Sequence, residues 1–322
     1  MKQKVKNNGM LMLTALIWGS AFVAQSAGMA YVGPFTFNSL RCLLGALVLL
    51  PVIWILGRKE KSVQGPHTEE KKGDRKTLWI GGICCGIALA VGSSLQQVGL
   101  LYTSAGKAGF LTALYILVVP LLGVFVGKRA GIKIWAGVGL ALVGIYFLCV
   151  KEGFSIVQGD LLMIVSAFVF AIHILVIDYF APKVDGVKMS CIQFLVCGVL
   201  CAVPMLIWER PAAGAILDAY VPLLYAGVLS CGLAYTMQVV AQKDAEPTVA
   251  SLILSLESVF AALTSWFILH EKRTPRELFG CALVFLAIIL AQLPSKNLRA
   301  EKSLKGEAAS EINKETEQFE TP

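Results

Sequence analysis

Apolar residues in this chain come in long blocks rather than in narrow stripes. Ten blocks stand out, at 9–29, 34–56, 78–102, 105–127, 133–150, 159–180, 188–208, 219–241, 248–269 and 277–293. A helix rises about 1.5 Å per residue and the hydrocarbon core of a bilayer is about 30 Å thick, so each block can cross once. Lipid offers no partner to backbone N–H and C=O groups, which leaves helices as the economical solution for such blocks. The pattern predicts an all-α integral membrane protein with ten transmembrane helices.

The blocks divide into two sets of five, 9–150 and 159–293, followed by a polar tail at 294–322. Five is odd, so a second set must enter the membrane from the opposite side. The expectation is two inverted five-helix repeats, an arrangement shared by many secondary transporters. The best internal match sets 104–150 on 247–293 at an offset of 143 residues. Leu111 then meets Leu254, Gly137 meets Gly280, Leu140 meets Leu283, and Lys133 meets Arg276. Arg41 lines up roughly with Gln193, and Gln97 with Gln238.

Composition agrees with this reading. Charged residues make up 15% of the chain and mean hydropathy is +0.72, where a soluble domain carries about 25% charged residues. The net charge of +7 would suit a nucleic-acid partner. The basic residues instead flank apolar blocks, which points to membrane lipids and no nucleic acid. With the N-terminus inside, 21 basic residues fall on the cytoplasmic side and 6 outside. The positive-inside rule therefore places both termini in the cytoplasm of a cell carrying this protein in its plasma membrane. Lys272, Arg273 and Arg276 vote the other way. The first block is read as a retained helix rather than a cleaved signal, because 159–180 opens the second set in the same manner. The stretches 57–77 and 294–322 are polar, mixed in charge and expected to be disordered.

The nine cysteines all lie in apolar blocks, with no CxxC pair and no Cys/His zinc spacing. They read as reduced structural thiols, so neither a metal nor a cofactor is expected.

A charge at the bilayer centre costs about 2.5–3.5 kcal/mol on insertion scales and so needs a reason. Glu257 lies near the middle of its block, where it could hold a proton or a cationic substrate group; a protonated structural carboxyl is the plain alternative. Arg41 could grip a carboxylate with two parallel hydrogen bonds, or reach out to the interface. His173 and Asp178 share one helix and could form a relay, though a lone His on an apolar helix is more often simply hydrogen-bonded. Lys107 reads as an interfacial anchor. Trp18, Gln97, Tyr115, Gln193, Tyr235 and Gln238 are polar or amphipathic groups that either line a cavity or join helices. Tyr115 and Gln97 rank first among them. Ser251, Ser255, Ser258, Ala262 and Ser265 form a stripe of small residues that reads as close helix packing, as do Gly81, Gly82 and Gly86. Pro120 and Pro204 sit inside blocks, where they can mark kinks or gating points.

Several short motifs carry a resemblance. Trp18-Gly19-Ser20, Pro34 followed by Arg41, Tyr102-Thr103-Ser104-Ala105-Gly106, Leu256-Glu257-Ser258-Val259-Phe260 and Glu271 occur in this order. Over about 10–293 the chain resembles the EamA branch of the drug/metabolite transporter superfamily. Ser258 departs from the proline usual there, and Lys128 from the acidic residue common at its position. The resemblance implies ten helices in two inverted repeats, a central cavity, and ATP-independent movement of a small metabolite, often as export.

Three function classes compete for such a chain. A secondary permease would move a small polar metabolite such as an amino acid past Trp18, Arg41, Gln97, Tyr115, His173, Tyr235, Gln238 and Glu257, with proton coupling through Glu257. A lipid-modifying enzyme would need clustered acids or a nucleophile with its base; HExxH and GxSxG are absent. A channel or scramblase would need a continuous polar lining. The residues favour the permease, as a monomer or homodimer.

Overall fold

The computed structural model describes residues 2–64, 72–103, 105–127, 131–149, 158–269 and 274–292. The expected tail at 294–322, part of the basic stretch at 57–77, and Ser104, Lys128, Arg129 and Glu271–Arg273 lie outside them. Among the described residues every regular element is helical. Seven helices are long and apolar enough to cross a membrane: Gln3–Gly28, Pro34–Arg58, Arg75–Gly99, Gln158–Phe180, Gly186–Glu209, Tyr220–Gln242 and Pro247–Thr264. They occupy the first, second, third, sixth, seventh, eighth and ninth expected positions. The fourth, fifth and tenth positions hold the shorter apolar helices Leu111–Phe125, Ile132–Phe147 and Leu278–Leu290. Segments are called below by these positions.

The distribution of residue types is that of a body surrounded by lipid. Trp54, Phe168, Leu200, Val203, Leu229 and Leu286 face outward, whereas Asn38, Ser39, Arg41, Gln97, His173, Gln193, Gln238 and Glu257 are buried. An apolar solvent outside removes the reason to hide leucine, and it makes the interior the cheaper place for polar groups. Arg58 stacks on Trp54 with its guanidinium carbon 3.6 Å from the ring centroid, an amphipathic pair suited to a membrane interface.

Packing follows a regular scheme. The third segment packs on the sixth and seventh, and the eighth on the first and second. The first packs on the ninth, and the sixth on the fourth. The second pairs with the seventh, and the fifth with the tenth. Exchanging every segment for the one five positions away leaves these main contacts unchanged. The glycines of the third segment serve close approach, as expected: a methyl group on Gly82 would lie 2.5 Å from Ile192, and one on Gly86 would lie 2.8 Å from the Gln193 carbonyl.

Two segments are broken. The fourth consists of Ala105–Ala113 and Tyr115–Phe125, and the ninth of Pro247–Leu254 and Leu256–Leu269. Backbone hydrogen bonds tighten to i→i−3 at both breaks, from Leu114 N–H to Leu111 C=O and from Ser258 N–H to Ser255 C=O. Neither break falls at a proline. Pro120 sits inside the helix Tyr115–Phe125, six residues after the break at Leu114. Pro204 is followed by a π-helical turn, Met205–Glu209, as a residue lacking N–H and crowding the preceding turn favours. A longer π-helix, Tyr225–Tyr235, forms the middle of the eighth segment. Wide turns of this kind are frequent at functional sites.

The serine stripe of the ninth segment is accounted for locally. The hydroxyls of Ser251, Ser255 and Ser258 donate to the carbonyls of Thr248, Leu252 and Ser255, three residues back in each case. The side chain of Ser265 lies outside the description.

Candidate functional site

One polar cavity lies at the centre of the helices. Its lining includes Trp18 and Gln25 of the first segment, Arg41 of the second, Gln96 of the third, Thr112 and Tyr115 of the fourth, His173 of the sixth, Tyr235 and Gln238 of the eighth, and Glu257 of the ninth. Its volume is about 40 Å³, room for roughly three water molecules. The breaks at Leu114 and Ser255 lie within three residues of Thr112, Tyr115 and Glu257. The helix is interrupted where it meets the cavity, the one place in a bilayer where irregular backbone finds alternative partners.

The approach of the first segment to the ninth is set by Gly19. A methyl group there would fall 2.6 Å from the Glu257 carbonyl oxygen and 2.7 Å from the Ala261 nitrogen. Only glycine allows these backbones to touch, and the contact places Trp18 and Glu257 on the same cavity. Trp18 in turn stacks on Tyr235, ring centroids 4.4 Å apart at 53°. Tyr225 and Ser20 hydrogen-bond to each other through their hydroxyls, and the Thr14 hydroxyl donates to the Ala234 carbonyl at 3.0 Å. The π-helical part of the eighth segment is thus held along the first.

The electrostatics of the site are unusual for a protein interior. Arg41 is 3% exposed, and its Nε has no hydrogen-bond partner. Its guanidinium lies 5.9 Å from the Phe37 ring centroid and near Cys42, Cys197, Cys231 and Tyr235. No carboxylate is among these neighbours. Glu257 is 4% exposed with Oε1 unpartnered. Tyr115 is close enough to interact with Glu257 electrostatically, yet its hydroxyl makes no well-formed hydrogen bond. Trp18 Nε1, Gln25 Oε1 and Gln238 Oε1 are likewise buried without partners. A cavity lined by so many orphaned groups is costly unless something occupies it. Arg41 and Glu257 share the cavity without pairing.

His173 is fixed from behind, its Nε2 lying 3.0 Å from Gln193 Oε1. Asp178 is half-buried on the same helix and is not part of the cavity lining. Of the eight expected site residues the structure gathers Trp18, Arg41, Tyr115, His173, Tyr235, Gln238 and Glu257 in one place. Gln97 is the exception. It is fully buried but away from the lining, and its neighbour Gln96 takes the position, donating from Nε2 to Thr112 Oγ1 at 3.2 Å. Adjacent helical residues point about 100° apart, so two consecutive glutamines face different ways and the alignment of Gln97 with Gln238 selected the one outside the lining. Gln25, Thr112 and Ser230 also belong to the lining and were not foreseen. Gln25 lies seven residues after Trp18, two helical turns along the same face, a signal that was available. Lys107 starts its helix, but its side chain lies outside the description. Among the described residues no group of three His, Cys, Asp or Glu could hold a metal ion.

Comparison with known proteins follows the same division of the chain. The EamA-like transporter family matches twice, over residues 7–150 and 157–293. An uncharacterized transporter of Archaeoglobus fulgidus is 32% identical over 284 residues, covering 88% of this chain and 84% of that protein. The uncharacterized transporter YoaV of Bacillus subtilis is 25% identical over 281 residues, covering 85% and 92%. A protein of known crystal structure, 18% identical, shares the fold with a TM-score of 0.71 over 89% of this chain and 97% of its own. The chain belongs to the EamA-like transporter family and is a multi-pass membrane transporter. The family and the names of these relatives point to a transporter rather than an enzyme.

Proposed function

We propose that this member of the EamA-like family is a secondary carrier for an amino acid or a closely similar zwitterion, working by alternating access across the plasma membrane with both termini in the cytoplasm. The observation that carries this reading is the unpaired coexistence of Arg41 and Glu257 in one buried cavity. A zwitterion supplies what each lacks. Its carboxylate meets the guanidinium through two parallel charge-assisted hydrogen bonds, and its ammonium meets the carboxylate. Tyr115, Gln238 and Trp18 offer the remaining polar contacts, and the Trp18–Tyr235 stack receives an apolar side chain.

The mechanism rests on the inverted repeat. The matched halves at 7–150 and 157–293 and the exchange of packing partners between segments five positions apart support it. Rocking one repeat against the other opens the site to each side in turn. Glu257 exchanges a proton for the substrate ammonium, which couples flux to the proton gradient.

Uptake of a mixed amino-acid pool into proteoliposomes, with and without an imposed pH gradient, tests this. Saturable flux of some of these solutes that responds to the gradient is the expected result. Saturable flux indifferent to the gradient removes the proton step and keeps the carrier. Flux of uncharged or purely cationic solutes with none of the zwitterions overturns the substrate class.

A further inference from the structure

Behind Arg41 lies a row of sulfur atoms that transport leaves unused. Cys42 of the second segment and Cys197 of the seventh have Sγ atoms 3.4 Å apart, and both residues are at most 1% exposed. Cys231 lies near Cys42, and Cys201 near Cys197. The last two partners are held elsewhere as well: Cys201 lies 3.5 Å from the Ser94 hydroxyl, and Cys231 packs on the second segment where a methyl group on Gly45 would meet its Cβ at 2.6 Å. The backbones of the second and seventh segments are close at this level. The Ser39 hydroxyl donates to the Gly198 carbonyl at 2.9 Å, and a methyl group on Gly198 would lie 3.2 Å from the Leu43 nitrogen.

We propose that Cys42 and Cys197 form an oxidation site whose product is a disulfide stapling the second segment to the seventh beside Arg41. A disulfide needs its sulfurs about 2.0 Å apart, so the pair must close by about 1.4 Å, a movement within the reach of side-chain torsions on backbones already packed together. The oxidant is a small neutral peroxide, which the bilayer admits. Peroxide converts one thiol to a sulfenic acid with release of one water. The second thiol then attacks that sulfur and expels the hydroxyl as a second water. Two protons and two electrons leave the thiols and reduce one peroxide, so the step balances without any other reactant. Because Cys42 follows Arg41 in the chain, the staple fixes the cationic group of the cavity to the opposite half of the protein.

The test reads covalent state and is independent of any transport assay. The full-length protein in membranes is treated with hydrogen peroxide, denatured with a maleimide to cap the remaining thiols, and mapped by mass spectrometry without reduction. The expected product is a cross-linked pair of peptides containing Cys42 and Cys197, lighter by about 2 Da than the sum of the reduced peptides. Cys42→Ser and Cys197→Ser each abolish it, and Cys84→Ser, at an exposed thiol, leaves it in full. Oxidised protein also melts higher than reduced protein. Complete capping of both thiols after treatment overturns the proposal. So does sulfinic acid at either position, or a bond from Cys42 to Cys231 or from Cys197 to Cys201. The wild-type map alone decides among these results, whatever the variants' stability.

Discussion

Glu209 and Glu257 are two carboxylates in the same apolar bundle, and the structure treats them oppositely. Glu209 closes the seventh segment and reaches the start of the second, where it accepts from the Phe35 amide at 2.9 Å, the Thr36 amide at 2.6 Å and the Thr36 hydroxyl at 2.6 Å. It caps a helix N-terminus from another segment, and the helix dipole favours its charge there. Glu257 is more deeply buried and has an oxygen with no partner at all. Folding has used up the hydrogen-bonding capacity of the first and left that of the second open. A satisfied acid of this kind ties elements together. In the function proposed above, an unsatisfied one, set in a cavity with Arg41, is where the ligand arrives and leaves.

This contrast can be broken by mutation, and the largest effects belong to the open site. Arg41→Lys keeps a charge but removes the planar fork, and Glu257→Gln keeps the shape but removes the charge. Each lowers the flux of the transported zwitterion by about 100-fold, the scale of one lost charge-assisted contact. Glu257→Gln also abolishes the response to an imposed pH gradient. Proteoliposome flux checks both, with thermal unfolding in detergent expected to change little. Wild-type flux in Glu257→Gln would place this acid with the structural ones.

Gly19→Val comes next. It pushes a branched side chain into the Glu257 backbone and the Phe260 Cβ, at a cost of about 1–3 kcal/mol for overpacking. Both the melting temperature and flux fall, since the same contact packs two segments and positions Trp18 against Glu257. Glu209→Ala inverts the pattern of Glu257→Gln. Losing the cap costs about 2 kcal/mol, read as a lower melting temperature, while substrate affinity holds. Gly33→Ala gives a smaller version of the same loss, because the added methyl would fall on the Glu209 carboxylate. The smallest effect is expected at Gln97, fully buried outside the cavity with both amide atoms unpartnered. Replacing an unsatisfied polar group by an apolar one of similar size is nearly neutral or stabilising. Gln97→Leu therefore keeps flux and melts no lower than the parent. Gln238→Leu, on the cavity, reduces flux.

Much of this molecule was legible in one dimension. Apolar block length is set by bilayer thickness and helical rise, so the places of the helices followed from counting residues. Cost did the same for the site. A residue as expensive in lipid as Arg41 or Glu257 is visible as an exception in its block, and both stand on the cavity. Direction around a helix was harder to read. Nothing in a lipid-soluble sequence distinguishes Gln96 from Gln97, because lipid-facing and buried faces are both apolar and the amphipathic contrast that orients a soluble helix is missing. The interruptions at Leu114 and Ser255 had no local signal: they stand beside a cavity that only the assembled helices create.

The sequence by itself therefore determined that the chain is a helical membrane protein, roughly where each helix runs, and which few polar residues had to be accounted for. Those properties depend on transfer energies between water and lipid, which are sums over single residues. Tertiary structure alone decided which of those residues meet. It set Arg41 and Glu257 on one cavity without pairing them, gave Glu209 a helix end to cap, turned His173 onto Gln193, and brought four cysteines from three segments into a row. These outcomes depend on which backbones approach closely enough to touch. That is settled by glycines such as Gly19 and Gly198 acting against partners more than a hundred residues away, a relation no local pattern encodes.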